Sequence, residues 1–129
     1  WRPYDGDGDL TAIADIGAFE YPSGEVFGLF FTATDTMEWT VRPEDQAFNV
    51  YRGGLAKLRG QGLYTQNPIL AISDQWCFID PAGLPFSDSY APAAGAGVFY
   101  LVTTTSAGFE GSLGFDSDNN LRPSNFPCP

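Results

Sequence analysis

Residues 97–114, GVFYLVTTTSAGFEGSLG, decide the fold. Val98, Tyr100, Val102 and Thr104 fall on one side of an extended chain, and Phe99, Leu101, Thr103 and Thr105 on the other. Both sides carry β-branched or aromatic groups, so the stretch predicts a strand inside a sheet, covered on two faces. Gly108, Gly111 and Gly114 then release the chain into turns.

Outward from that strand, the 129 residues suffice for one domain of ordinary size with a short extension. Hydrophobic residues make up 43%, with 11 Phe, 6 Tyr and 3 Trp, enough to fill a core and to exclude a disordered chain. The 15 glycines and 10 prolines interrupt the sequence too often for long helices, so the expected class is all-β. A net charge of −10 repels phosphate backbones and anionic membrane surfaces, which excludes nucleic acid as a partner. Histidine is absent, removing the usual general base and the commonest transition-metal ligand. No apolar run reaches bilayer-spanning length, so no membrane span is expected. The start at Trp1, without a charged-then-apolar leader, suggests a processed chain or a piece of a longer one.

Cys77 and Cys128 are the only cysteines. Joined, they close a loop of about 50 residues and stabilise the fold by roughly 4 kcal/mol; unjoined, they are two buried thiols. The bridge is the expectation, because other features point outside the cell.

Residues 1–25 differ from the rest. Asp5, Asp7 and Asp9 alternate with glycine, as oxygen ligands do at the start of a calcium loop, with Asp15 as a further ligand. The twelfth position of such a loop is Ile16 rather than a carboxylate, so calcium and a solvated Asp-Gly turn stay open as alternatives. Next, Leu10, Ala12, Ala14, Ile16 and Ala18 line one side of an extended segment, a ribbon with one smooth face. Within residues 26–129, VFGLFF (Val26–Phe31) and DTMEWTV (Asp35–Val41) predict a strand pair with Met37, Trp39 and Val41 inward. AFNVYRGG predicts a strand with Phe48 and Val50 inward and Asn49 and Tyr51 outward. Leu55 and Leu58 suit a helical turn stopped by Gly60 and Gly62. Strands are expected at Ile69–Ile72 and Trp76–Ile79, then a long loop to Gly97. DSDNN at 116–120 suits a hairpin turn or a weak calcium contact.

The words DIGAFEYP, residues 15–22, resemble the ending of choice-of-anchor Q domain proteins, secreted right-handed β-helices. That likeness covers about 20 residues and implies an exported bacterial protein. An aromatic strand carrying Trp39, the alternation of Phe48 and Val50, and a later strand with Tyr100, Val102 and Thr104 resemble a fibronectin type III domain over residues 26–121. Thr104 and Ser106 stand where that family more often has Ala and Asn, so the likeness is one of architecture. VYRGG, FYLVTTTS, GSLG and RPSNFPCP are similar to a C-terminal module of exported bacterial proteins. Together these imply a fibronectin type III or immunoglobulin-like β-sandwich preceded by an extended strand, in an extracellular or cell-surface protein.

Among carboxylates, Asp74, Asp80, Asp88, Glu110, Asp116 and Asp118 carry no spacing that marks a paired acid and base, so no catalytic residue is assigned and no enzyme is expected. Trp76, Tyr51, Tyr64 and Tyr90 fall near turns or outward positions and suit either a sugar-stacking platform or packing. Sheet edges of a sandwich accept added strands, and the small-sided ribbon at 10–18 has the alternation to pair with a neighbouring copy. Passed from copy to copy, such a strand makes a head-to-tail fibre. The expected function is therefore a non-enzymatic structural or adhesive module, a filament subunit assembled by strand exchange; the alternative is an accessory carbohydrate- or protein-binding module. Calcium is the one cofactor expected.

Overall fold

A computed structural model describes residues 25–129. Its strands are β1 (Phe30–Ala33), β2 (Thr36–Glu38), β3 (Ala47–Gly54), β4 (Asp74–Ile79), β5 (Phe86–Ser87), β6 (Val98–Ser106) and β7 (Phe109–Glu110), with one helix, α1 (Leu55–Gln61). They form two antiparallel sheets, ordered β1-β2-β5 and β4-β3-β6-β7. The all-β, two-layer expectation holds. Contacts across the layers place β5 against β4, through Phe86 and Trp76 with ring centroids 5.0 Å apart, and β1 against β6, through Phe31 and Tyr100 at 5.8 Å.

Burial of apolar faces holds the layers together. Met37, Trp39, Phe48, Val50 and Phe86 form the buried centre, and Val26, Trp76, Ile79, Leu84, Tyr100 and Val102 pack around it. Trp39 meets Phe48 edge-on at 5.4 Å, an arrangement that suits the ring quadrupoles.

β3 lies between β4 and β6 and pairs with β6 from Ala47–Thr105 to Gly54–Val98. Its alternation is as expected, but its second face is also covered, so that every residue from Phe48 to Gly54 is buried. Between Phe48–Ile79 and Val50–Trp76 the β4 side carries one extra residue, a bulge opposite Asn49. Phe78 takes the left-handed region there (φ 59), and its N–H is satisfied by Asn49 Oδ1 at 2.9 Å. The bulge separates two core-facing residues, Trp76 and Ile79, and Cys77 between them bonds to Cys128 with Cα atoms 5.7 Å apart.

Several elements differ from the sequence expectation. The strand in VFGLFF begins at Phe30 and runs to Ala33; before it, Glu25 bridges Thr103 and Phe27 O accepts from Thr40 N–H at 3.1 Å. Gly60 does not stop α1; the helix runs on to Gln61 and ends where Gly62 turns left-handed (φ 67) and donates to Leu58 O at 2.9 Å. Residues 69–72 are turn rather than strand, closed by Ser73 N–H to Leu70 O at 2.9 Å. The long loop before Gly97 contains a 3-10 turn (Pro81–Gly83) and the short strand β5. DSDNN makes the hairpin turn: Phe115 bridges Leu121, and Asp116 Oδ1 accepts from the N–H groups of Asp118 and Asn120 at 3.0 and 2.8 Å.

Candidate functional site

Three polar constructions and one opening distinguish the body. The first lies on the side of the larger sheet that faces away from the other layer. Glu110 Oε1 accepts from Asn49 Nδ2 at 2.9 Å, from Tyr51 OH at 2.6 Å and from Thr103 Oγ1. Tyr51 OH in turn accepts from Cys128 N–H at 2.8 Å, so the C-terminal tail is tied to this face by a hydrogen bond as well as by the disulfide. Burial, then the Glu110 carboxylate, push the Tyr51 phenol up from its ordinary value.

The second lies inside, between the layers. Arg52 is buried, pairs with Asp88 and donates from Nε to Ile72 O at 3.1 Å, with Asp74 Oδ2 at 3.8 Å. Its guanidinium lies 4.0 Å from the centroid of Tyr90 and 5.4 Å from that of Trp76, held between two aromatic groups. Asp88 also accepts from Tyr100 OH at 2.9 Å and from Tyr90 N–H at 3.0 Å. Burial pushes its carboxyl up, but Arg52 and the two other donors outweigh burial and hold it below 3.8. Burial and Asp88 raise Tyr100 to about 12. Because Asp88 follows β5 and Arg52 belongs to β3, this pair clamps one sheet to the other.

The third is Asp45, which accepts from Arg42 N–H at 2.8 Å, from Arg42 Nη2 at 3.2 Å and from Thr104 Oγ1 at 2.9 Å. It floors a cleft of about 320 Å³ rimmed by Arg42, Glu44, Ser106, Phe109 and Glu110. Phe109, on the β6–β7 hairpin, is 80% exposed beside it.

The opening is the seam between β1 and β6. Phe31 pairs with Met37, which is fully buried, so by register it faces the core; yet Phe31 is 54% exposed. All four β1 residues are exposed, and the strand pairs only with β2 among the described residues. β6 has β3 on one side throughout; on its other side Glu25 bridges Thr103, Gly111 N–H donates to Thr104 O at 2.8 Å, and β7 pairs with Thr105 and Ser106. Among the described residues, the two layers therefore meet along this side without a strand closing them.

Asp5, Asp7, Asp9 and Asp15, read as calcium ligands, and the ribbon Leu10, Ala12, Ala14, Ile16 and Ala18 lie outside the described residues. Among the described residues, no group of three or more His, Cys, Asp or Glu side chains is placed to hold a metal ion, and no helix is long and apolar enough to cross a membrane. Tyr51, Trp76 and Tyr90 do not form one stacking platform. Tyr51 is only 2% exposed, and it lies on the opposite side of the larger sheet from Trp76, whose ring packs against the core and Phe86. Tyr90 is covered by Arg52. Arg52, an arginine with nothing in the sequence to mark it as buried, is inside. Thr103 and Thr104, in the strand expected to be covered on both faces, are buried and donate to Glu110 and Asp45. Glu110 and Asp88 stood among the sequence carboxylates without distinction; the only signal that could have raised them was a pair of in-strand polar residues, Asn49 and Arg52, needing partners in a buried strand.

No family model, no curated protein and no solved structure matches this chain.

Proposed function

We propose that the chain is a non-enzymatic extracellular structural or adhesive module whose copies are joined by exchange of a strand. The observation that carries this reading is the seam, where a core-facing Phe31 is 54% exposed and no strand among the described residues joins β1 to the first half of β6. Unpaired edges bordered by apolar groups are where an added strand gains both main-chain hydrogen bonds and burial. The Cys77–Cys128 disulfide supports an oxidising location. The strand order, three in one sheet and four in the other with β3 and β6 side by side, supports a fibronectin type III or immunoglobulin-like sandwich. Light scattering after size exclusion, with negative-stain microscopy, tests the reading: linear multimers that vanish on deletion of residues 1–22 are expected. A monodisperse monomer at high concentration, unchanged by that deletion, overturns it.

A second reading, an accessory binding module for carbohydrate, draws on the cleft beside Phe109. An exposed ring next to Arg42, Glu44 and Glu110 offers stacking and hydrogen bonds together, the pair of interactions sugars use. Glycan-array binding lost on Phe109→Ala favours it; an array with no signal removes it.

A further inference from the structure

We propose that the cleft beside Phe109 takes an amino sugar, with the sugar ring lying on Phe109 and its ammonium group facing Glu44. This rests on the carbohydrate-binding reading and specifies the class of sugar.

The walls come from two turns at one end of the sandwich. Thr104 and Ser106 continue the side of β6 that carries Tyr100 and Val102 into the core. Phe109 pairs with Ser106 and so stands on that same side, beyond Val102, where it is 80% exposed. Opposite it, the turn between β2 and β3 is closed by Asp45 N–H to Arg42 O at 3.1 Å and by Arg42 N–H to Asp45 Oδ2 at 2.8 Å. Thr104 Oγ1 donates to Asp45 at 2.9 Å and ties this turn to β6. The walls are therefore set before a ligand arrives, which limits the ordering cost of binding. The volume of about 320 Å³ is at the small end of ligand pockets, ~300–1,000 Å³, and suits a compact ring.

A sugar follows from what the walls leave unused. Arg42 gives Nη2 to Asp45 at 3.2 Å and holds Nε 3.4 Å from Glu44, while its Nη1 and the Ser106 hydroxyl have no hydrogen-bond partner among the described residues. Hydroxyl oxygens around a sugar ring accept from Arg42 and bond either way with Ser106, and the C–H face of the same ring covers Phe109. A lysine side chain can cover Phe109 too, but it brings no acceptor for Arg42.

An amine follows from the charge count. One guanidinium lines the cleft against the carboxylates of Glu44 and Asp45, with Glu110 adjoining. Asp45 has both oxygens engaged by Arg42 and Thr104, and its side chain is 3% exposed. The Glu44 side chain is 59% exposed and meets only Arg42 Nε among the described residues. Negative charge is in excess, and Glu44 is the group placed to meet a cation. Carboxylated or sulfated sugars are repelled, the more so by a chain of net charge −10.

The test uses oligomers of glucosamine, N-acetylglucosamine and glucose that share one linkage and differ only in carrying an amine, an acetamide or a hydroxyl. Titration calorimetry on the full chain should find the glucosamine oligomer bound about tenfold more tightly than the other two. Added salt should shrink that margin, because the charges meet at a solvent-exposed rim. Glu44→Gln should bring the glucosamine oligomer down to the affinity of the others, and Phe109→Ala should abolish its binding. Both side chains are exposed, and an unchanged melting temperature shows that each variant is folded. Equal affinity for the three oligomers, or a margin that survives Glu44→Gln, overturns the amino-sugar assignment and leaves carbohydrate binding standing. A lysine oligomer bound as tightly as the glucosamine oligomer also overturns it and makes the cleft a site for basic peptides. No binding of any glycan removes both.

Discussion

At the scale of single residues, buried polar groups hold this body together. Asn49 and Thr103 are almost fully buried, and Glu110 Oε1 is the acceptor for both. Glu110→Ala strands these donors, and unmet buried donors cost about 1–3 kcal/mol each, so urea unfolding should show a loss of about 2–4 kcal/mol. Arg52 and Asp88 pose the sharper case, because each charge is buried and needs the other. Arg52→Met should cost about 3–5 kcal/mol at neutral pH, since it leaves Asp88 uncompensated. The deficit should depend on pH with a defined sign. In the wild type, Asp88 in the folded state titrates below its ordinary 3.8, so the stability it contributes is complete above that value and is lost as pH falls through the lower one. In Arg52→Met, burial acts without the guanidinium and raises the carboxyl, so the folded protein takes up the proton first. Denaturation curves at a series of pH values should show the gap between the two proteins widest well above the ordinary carboxylate range and narrowing as pH falls, first through the raised value of the variant and then through the lowered value of the wild type. A constant gap would show that lost packing of Arg52 between Tyr90 and Trp76, rather than charge, accounts for the effect.

At the scale of elements, the decisive strand is β3, which is wedged between β4 and β6 and covered on both faces. Its last two residues are glycine for steric reasons. A Cβ on Gly53 would stand 2.6 Å from the Phe99 ring, and one on Gly54 would stand 3.0 Å from Ile72. Gln66 uses the close approach to bond both ways with Gly54, donating to its carbonyl and accepting from its N–H, each at 3.0 Å. Gly53→Ala should therefore cost about 1–3 kcal/mol by overpacking, read as a lower melting temperature, with Phe99→Ala restoring part of the loss in the double variant. β3 and β6 were legible from sequence because both are long and alternate cleanly. β5 was not, since two residues carry no period; Phe86 and Ser87 become a strand only because β2 offers Met37 and Thr36 as partners. The apolar residues at 69–72 misled for the opposite reason: a run of Ile, Leu and Ala suits a strand, but among the described residues it pairs with none, and Ser73 Oγ, bonded to Asn67 O at 2.7 Å, closes it into a turn.

At the scale of the whole molecule, a tail and a seam decide what the two sheets can do. The tail is fastened at Cys128 by the disulfide and by Tyr51, and at Phe126, whose N–H donates to Thr65 Oγ1 at 2.9 Å. With the cysteines 51 positions apart in sequence, replacing both Cys77 and Cys128 by Ser should lower stability by about 4 kcal/mol in equilibrium unfolding. Hydrogen exchange should then speed up at Cys128 and Phe126 while the β3–β6 ladder stays protected. The amino-acid sequence by itself determined the all-β class, the two long central strands and the inward side of Met37, Trp39, Phe48 and Val50, because side-chain period and composition are local properties of the chain; it also turned Val41 inward, which is 42% exposed, and made the cysteine bridge an expectation that the fold then met. Only the tertiary structure decided that Arg52 and Thr103 are inside, that Glu110 is a shared acceptor, that Tyr51 and Trp76 lie on opposite sides of a sheet, and that β1 and β6 meet with no strand between them among the described residues. Each of these depends on which distant segment arrives at a given face, and residue order along the chain does not encode that arrival until the layers have packed.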